Sequence, residues 1–370
     1  MVSLGCPKNT VDAELVLGDL LENGYEITPH QEEADIIIVN TCGFIEASKR
    51  ESIDTILEMA ALKSEGRCKK LVVTGCLSER YNDELLKEIP EIDHMLGVNQ
   101  YPQLKHILKI TSDSSGRDAS PNHVNDPAEY FESHTHRVLT TPFYTAYLKI
   151  GEGCSNQCAF CIIPKIRGRF RSRSQESVVT EARHLARRGV KEFNLVSQDT
   201  TMYGIDLRVK NGLIRLLQSL AKIDGVEWLR LFYCYPTFIN SDLIEYIASE
   251  EKVCNYIDVP LQHVHDVMLK RMKRQETEKE VRRMIEELRR KIPDIALRTT
   301  FITGFPGETE TEFRHLLEFV REIKFDHVGV FSYSHEEGTT AYDYPGLVSH
   351  EIAVERKDEL MRVQQEICRE

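Results

Sequence analysis

Cys154, Cys158 and Cys161 stand in the run Gly153-Cys154-Ser155-Asn156-Gln157-Cys158-Ala159-Phe160-Cys161, a C-x3-C-x2-C spacing. Thiolates this close together can share one cubane iron–sulfur cluster, and with only three of them the fourth iron keeps an open position. An open iron can bind the amino and carboxylate groups of S-adenosylmethionine. One electron passed to the sulfonium then breaks it and releases a 5′-deoxyadenosyl radical. A tetrahedral zinc site asks instead for a fourth thiol or histidine in paired spacing, and the nearest histidine downstream is His184, inside a helical pattern. Phe160, an aromatic just before the third cysteine, adds to the specificity of the motif.

A second set is dispersed. Cys6 follows Met1–Leu4, Cys42 follows the apolar run Ile36-Ile37-Ile38-Val39, and Cys76 follows Leu71–Thr74. Each cysteine therefore sits directly after an expected strand. In a parallel sheet such ends converge on one rim, where open α/β sheets bind ligands. Three thiols on one rim make a second three-ligand cluster site, and Gly5, Gly43 and Gly75 leave room for backbone to approach it. The competing reading is three buried structural cysteines on apolar strands. Cys68, Cys234, Cys254 and Cys368 read as structural.

The elements needed to position these groups are α/β throughout. Helical spacing is expected over Asp12–Glu22, Ala47–Lys63 and Glu79–Ile89, giving a small parallel α/β sandwich domain over residues 1–110. Residues 111–138 are polar and read as a linker. Six strand–helix units follow in residues 139–370, with strands near Ala146–Ile150, Glu192–Val196, Trp228–Phe232, Tyr256–Val259, Leu297–Ile302 and His327–Phe331. Helices are expected at Ser177–Arg188, Gly212–Ala221, Lys279–Lys291, Glu310–Ile323 and His350–Arg369. Right-handed crossovers curl six such units into a partial (β/α)6 barrel with its chemistry at the carboxyl ends of the strands.

The bulk numbers agree with a globular protein: 370 residues, 41% apolar and 29% charged. No apolar run is long enough for a membrane span, and the start has no signal-peptide pattern, so a cytoplasmic location is expected. Ten cysteines in such a chain should stay reduced, which favours metal ligation or catalysis over disulfides. The formal charge is −12, and residues 1–112 hold 11 Lys and Arg against 19 Asp and Glu, a net −8. That acidity disfavours a protein that tracks phosphates and suits a basic partner.

The cysteine motif after the first strand of a six-unit barrel resembles the radical S-adenosylmethionine superfamily. The stretch GEGCSNQCAFCIIPKIRGRFRSR, with SLGCPKNTVDAE, VNTCGF and VTGCLSER, resembles its methylthiotransferase family over nearly the whole chain. The resemblance implies two 4Fe-4S clusters, one on Cys154, Cys158 and Cys161 and an auxiliary one on Cys6, Cys42 and Cys76. It implies two uses of S-adenosylmethionine, as methyl donor to sulfur and as radical source. The radical takes hydrogen from an unactivated carbon, and a methylthio group replaces it. The family's carboxy-terminal β-barrel domain is absent from these residues. Cys6-Pro7-Lys8-Asn9 resembles the branch that modifies the β-carbon of an aspartate on a small-subunit ribosomal protein, where the transfer-RNA branch tends to Cys-Gln-Met-Asn. The alternatives are a transfer-RNA adenosine methylthiotransferase and, from another class, an iron–sulfur scaffold or electron carrier without radical chemistry. No nucleic-acid substrate and no membrane partner are expected, and neither the electron donor nor the sulfur source is assigned.

Several strand-end residues complete the expectation, none of them assigned as a catalytic side chain. Ser197-Gln198-Asp199-Thr200 can bind the methionine end of the cofactor or cap a turn, and Gln198 is the side chain expected to bind the cofactor. Thr303 and Gly304, in a turn that resembles the family's cofactor loop, are expected near the adenine, and Phe160 is expected to bind the cofactor. Tyr233, Tyr235, Pro236, Gln262 and His263 can shape a substrate pocket, though a lone histidine is more often structural. Arg167, Arg169, Arg171 and Arg173 alternate, which puts them on one side of an extended segment able to hold an anion.

Overall fold

The computed structural model describes residues 1–110, 121–124 and 137–369. They form two compact units, one of residues 1–143 with 163–169 and one of residues 144–162 with 170–370. Most of the expected linker lies outside the described residues.

The first unit is built on four parallel strands in the order β1-β2-β3-β4: β1 (Val2–Ser3), β2 (Ile36–Thr41), β3 (Lys70–Gly75) and β4 (His94–Met95). Its helices are α1 (Pro7–Glu22), α2 (Glu46–Glu65), α3 (Cys76–Glu88), α4 (Leu104–Ile110) and the short α5 (Ile163–Ile166). Ile37, Val39, Leu71 and Val73 from the strands meet Ile56, Met59, Leu77 and Leu85 from the helices in one apolar core. α1 begins five residues earlier than its apolar spacing suggests, because Pro7 is preset for the first helical position and Cys6 serves as the cap residue. Two-residue β4 was not expected; it pairs Val72 with His94 and Val73 with Met95. In the same unit Glu14, buried in α1, accepts from Arg137 and from the backbone N–H of Thr140 at 2.6 Å, which fastens residues 137–140 to that helix.

The second unit has the six expected strands in one parallel sheet, ordered β5-β8-β9-β10-β11-β12: β5 (Thr145–Lys149), β8 (Glu192–Val196), β9 (Trp228–Leu231), β10 (Val253–Asp258), β11 (Ala296–Thr303) and β12 (His327–Ser332). Between β5 and β8 a small antiparallel pair, β6 (Gly151–Glu152) and β7 (Arg171–Ser172), closes the neck of a loop that carries the cysteine motif. The helices are α6 (Gln175–Arg187), α7 (Gly212–Ala221), α8 (Ser241–Ser249), α9 (Asp266–Arg271), α10 (Glu278–Lys291), α11 (Glu310–Ile323) and α12 (His350–Ile367). Local chemistry explains their ends. Thr277 with Glu280 and Thr309 with Glu312 form capping boxes, and Arg289, Arg290 and Lys291 occupy the last turn of α10. Along β11, Leu297, Thr299, Phe301 and Thr303 are buried while Arg298, Thr300 and Ile302 are only half-buried, so the strand has one packed and one open face. β5 and β12 end the sheet, leaving an open (β/α)6 half-barrel. Among the described residues no helix is long and apolar enough to cross a membrane.

Candidate functional site

In the first unit Cys6, Cys42 and Cys76 all leave the carboxyl ends of adjacent strands, and the loops that bear them touch. A Cβ placed on Gly5 would lie 2.8 Å from Cys42 Cβ and 3.1 Å from Cys42 Sγ; one on Gly43 would lie 2.9 Å from Cys76 O. Cys42 is pinned by Ser52 of α2, whose hydroxyl accepts from the Cys42 N–H at 3.0 Å and donates to its carbonyl at 2.8 Å. Asn9 ties the loops together. Its amide donates to Leu4 O at 2.9 Å and to Thr41 O at 3.0 Å, and its own carbonyl accepts from Asn40 at 2.9 Å. Arg167, fully buried, donates to Asn9 Oδ1 at 2.5 Å and lies 3.4 Å from Asp12 Oδ2.

Charge within this site is uneven. Burial raises the Cys6 thiol, but Lys8, Arg167 and the backbone N–H groups of Asn9 and Lys8 outweigh it, and the thiol ends below its ordinary value. Burial pushes Cys76 up to about 12, with the other two cysteines adding to the rise and Arg167 opposing it. Cys6 caps α1 and Cys76 opens α3, so both sulfurs sit at helix N-termini, which favour the thiolate that a metal requires.

In the second unit the loop of Cys154, Cys158 and Cys161 is anchored at several points. Asn156 donates to Asp199 Oδ2 at 2.8 Å, Ser155 Oγ accepts from the Phe170 N–H at 3.2 Å, and Ala159 donates to Met272 O at 2.9 Å. Burial, with the Asp199 and Cys158 charges, pushes the Cys154 thiol up to about 12; burial also raises Cys158, against the pull of Arg274. The three cysteines are each partly exposed. A cluster spreads its thiolates over different irons, and among the described residues no three His, Cys, Asp or Glu are gathered tightly enough for a single ion.

At the end of β8 the polar groups are only half used. Gln198 donates to Glu152 at 2.9 Å, and Glu152 in turn accepts from Lys149 at 2.9 Å. Ser197 Oγ, Gln198 Oε1 and Thr200 Oγ1 are buried without a partner. The Glu152 carboxylate only accepts, which fixes the Gln198 amide with its nitrogen toward Glu152 and its oxygen left over. Buried polar atoms are ordinarily paired, so this rim is suited to a polar ligand. Phe160 meets Phe305 edge to face at 6.4 Å, its own ring half-buried beside Cys161.

Other expected contacts are used elsewhere. Thr303 donates its hydroxyl to Ala353 O at 2.9 Å, and the Gly304 N–H is held by Glu308 at 3.0 Å. A Cβ on Gly304 would lie 2.3 Å from Ala353 Cβ, so this glycine, at φ +74°, allows the close packing of α12. His263 is fully buried; its Nδ1 accepts from the Val264 and His265 N–H groups at 2.9 and 3.0 Å, and burial lowers its pKa, so it is structural. The arginine run does not act as one face. Arg167 is spent inside the first unit, and Arg173 inside the second on Lys149 O, Glu181 and Ser177 at 2.8, 2.5 and 2.8 Å. The spacing concealed three participants: Asn9, Asn156 and Arg274, whose partners are distant in sequence. Cys68 and Cys234 are buried, as structural cysteines are.

Residues 1–97 match the model of the family described as "Uncharacterized protein family UPF0004", and residues 148–320 match the "Radical SAM superfamily". The chain is 52% identical over 364 residues to the ribosomal protein uS12 methylthiotransferase RimO of Geobacter sulfurreducens, covering 98% of this chain and 81% of that protein. To the protein of the same name from Clostridioides difficile it is 49% identical over 368 residues, covering 100% and 82%. The chain belongs to the RimO family. Outside the RimO family, the fold resembles the radical S-adenosylmethionine methyltransferase TsrM from Kitasatospora setae, with a TM-score of 0.67 at 16% identity over 90% of this chain and 72% of that one. The domain order, α/β sandwich then half-barrel, is that of a radical S-adenosylmethionine enzyme.

One glycine in this RimO-family site is testable by itself. Gly75 precedes Cys76 at φ +103°, and a Cβ there would lie 2.5 Å from Thr41 O and 2.6 Å from Asn40 Oδ1. Gly75→Ala should lower the stability of the iron-free chain by about 1–3 kcal/mol, since both the backbone conformation and the space are wrong for a side chain. The denaturant midpoint measures it; an unchanged midpoint would refute the close approach.

Proposed function

We propose that the chain adds a methylthio group to the β-carbon of an aspartate on ribosomal protein uS12, in the cytoplasm. The reading is carried by two three-cysteine sets, one at the carboxyl ends of three parallel strands and one in the loop that follows β5 and β6, in a chain about half identical to proteins of that name. Its cofactors are two 4Fe-4S clusters and S-adenosylmethionine. Cys154, Cys158 and Cys161 are the proposed ligands of the cluster that supplies the electron for cleaving the sulfonium, and Cys6, Cys42 and Cys76 those of the auxiliary cluster that supplies the sulfur site.

The remaining residues position and enclose. Ser197, Gln198 and Thr200 offer their unpaired polar atoms to the methionine end of the cofactor. Phe160 offers a ring to the adenine. The Asn156–Asp199 bond holds the cysteine loop against the same strand end, so loop and cofactor rim move as one. The acidity of the chain, −12 overall, favours a basic protein over a polyanion.

The test offers purified uS12 and unmodified transfer RNA in parallel to the anaerobically reconstituted chain. A mass gain of about 46 Da, the replacement of hydrogen by methylthio, is expected on uS12 alone. Methylthio-adenosine in the RNA with unmodified uS12 would sink the assignment.

A further inference from the structure

The turn after α9 places one side chain against the cysteine loop by a route that involves no ligand. α9 ends at Arg271 with Met272 as its cap. Lys273 then adopts φ +55°, its N–H bonding to Lys270 O at 3.1 Å while the Arg274 N–H bonds back to Leu269 O at 2.8 Å. This pair of backward bonds is a Schellman ending, formed here without the usual glycine. It turns the chain sharply and points Arg274 inward, where its side chain is 4% exposed.

Once inside, the guanidinium is fixed on nearly every side. Its Nε donates to Glu276 Oε1 at 2.6 Å, Nη2 donates to Pro260 O at 3.0 Å, and the plane lies 4.0 Å over the centroid of Tyr235. Nη1 is left to point at Cys158 Sγ, 3.8 Å away. The same turn takes the Ala159 N–H on Met272 O, so donor and sulfur belong to one rigid assembly. A cation that donates into a ligand sulfur stabilises the more negative, reduced state of the metal centre over the oxidised one, and so raises its potential.

We infer that Arg274 is a positioning residue that sets the reduction potential of the cluster on Cys154, Cys158 and Cys161 through a charge-assisted hydrogen bond to Cys158 Sγ. The inference rests on the ligand assignment proposed above. Arg274 touches neither cofactor nor substrate in this account; it acts through the sulfur.

The experiment uses the full chain with Cys6, Cys42 and Cys76 replaced by alanine, reconstituted anaerobically, so that one cluster is titrated by electron paramagnetic resonance. Arg274→Gln is compared with its parent, and the same change is repeated in a Glu276→Gln background, because a buried carboxylate stripped of its cation can unfold the site. In each pair, loss of Arg274 should disfavour reduction about tenfold, a midpoint more negative by about 59 mV for one electron, with iron content kept at least in the pair that carries Glu276→Gln. Equal midpoints within a pair that keeps its iron would overturn the inference. So would a loss of iron in both pairs with the residual cluster at the parental midpoint, which is the signature of a purely structural arginine. A parent that assembles no cluster defeats the ligand assignment, and the inference with it.

Discussion

Replacing Cys6, Cys42 and Cys76 together by alanine should halve the iron bound after anaerobic reconstitution, from about eight atoms per chain to about four. Methylthio transfer should vanish, while reductive cleavage of S-adenosylmethionine to 5′-deoxyadenosine continues. The division follows from the two units. The rim of Ser197, Gln198 and Thr200 and the loop of Cys154–Cys161 lie wholly in the second unit, while Asn9, Ser52 and Arg167 belong to the first. The converse triple variant, at Cys154, Cys158 and Cys161, should also lose half the iron but should lose cleavage as well. Full iron retention after the first set of replacements would remove the auxiliary site from the account. Loss of cleavage with the barrel iron intact would require a different division of labour.

Arg167→Met should destabilise the first unit by about 3–5 kcal/mol, the usual result of stripping a buried acidic group of its cation. Asp12 is 8% exposed and Asn9 1%, so water cannot readily replace the guanidinium. Asn9 Oδ1 would lose its donor at 2.5 Å, and Asn9 is the residue that holds Leu4 and Thr41 in register beneath the three thiols. Iron at the first-unit site should therefore fall with stability, while iron at Cys154–Cys161 stays. Arg167→Lys should fall between, keeping the charge and losing the fork that reaches both partners. Thermal unfolding with separate iron quantification checks the pattern. A variant that unfolds at the parental temperature would show the arginine to be dispensable.

The sequence made the strand ends readable because a short apolar run followed at once by glycine or threonine and then cysteine leaves few other readings. Cys6, Cys42 and Cys76 stand out by that signal, Cys154, Cys158 and Cys161 by their C-x3-C-x2-C spacing, and the six barrel strands by their alternation with helical patterns. Helix α1 starts at Pro7, five residues before the point from which apolar spacing alone predicts it, because the proline and not the spacing sets its first turn. Helix α8 had an asparagine cap at Asn240 and apolar residues at Leu243, Ile244 and Ile247, a pattern too brief to stand out. The arginine run misled for a different reason. Alternation describes a free extended strand, but the fate of Arg167 is decided by Asn9 and Asp12, more than 150 residues earlier. Thr303 and Gly304 likewise answer to α12, which no local pattern announces. Lys273, in a left-handed turn where glycine is usual, hid the ending that directs Arg274.

The neck formed by β6 and β7 has a consequence for how the molecule is made. The chain passes out through Gly151–Glu152, carries the three clustered cysteines, lends Ile163–Arg169 to the other unit, and returns at Arg171–Ser172. Synthesis runs from the amino terminus, so the first unit, although it begins at residue 1, lacks its last strut until Arg167 has left the ribosome. By then Cys154, Cys158 and Cys161 have emerged too. The first set of thiols has its whole unit once Arg167 is made, whereas Cys154, Cys158 and Cys161 wait for Asp199, Met272 and Arg274, so iron delivery to the two meets two successive windows. Cutting the gene at the boundary near residue 143 would leave an amino-terminal piece that lacks Arg167 altogether.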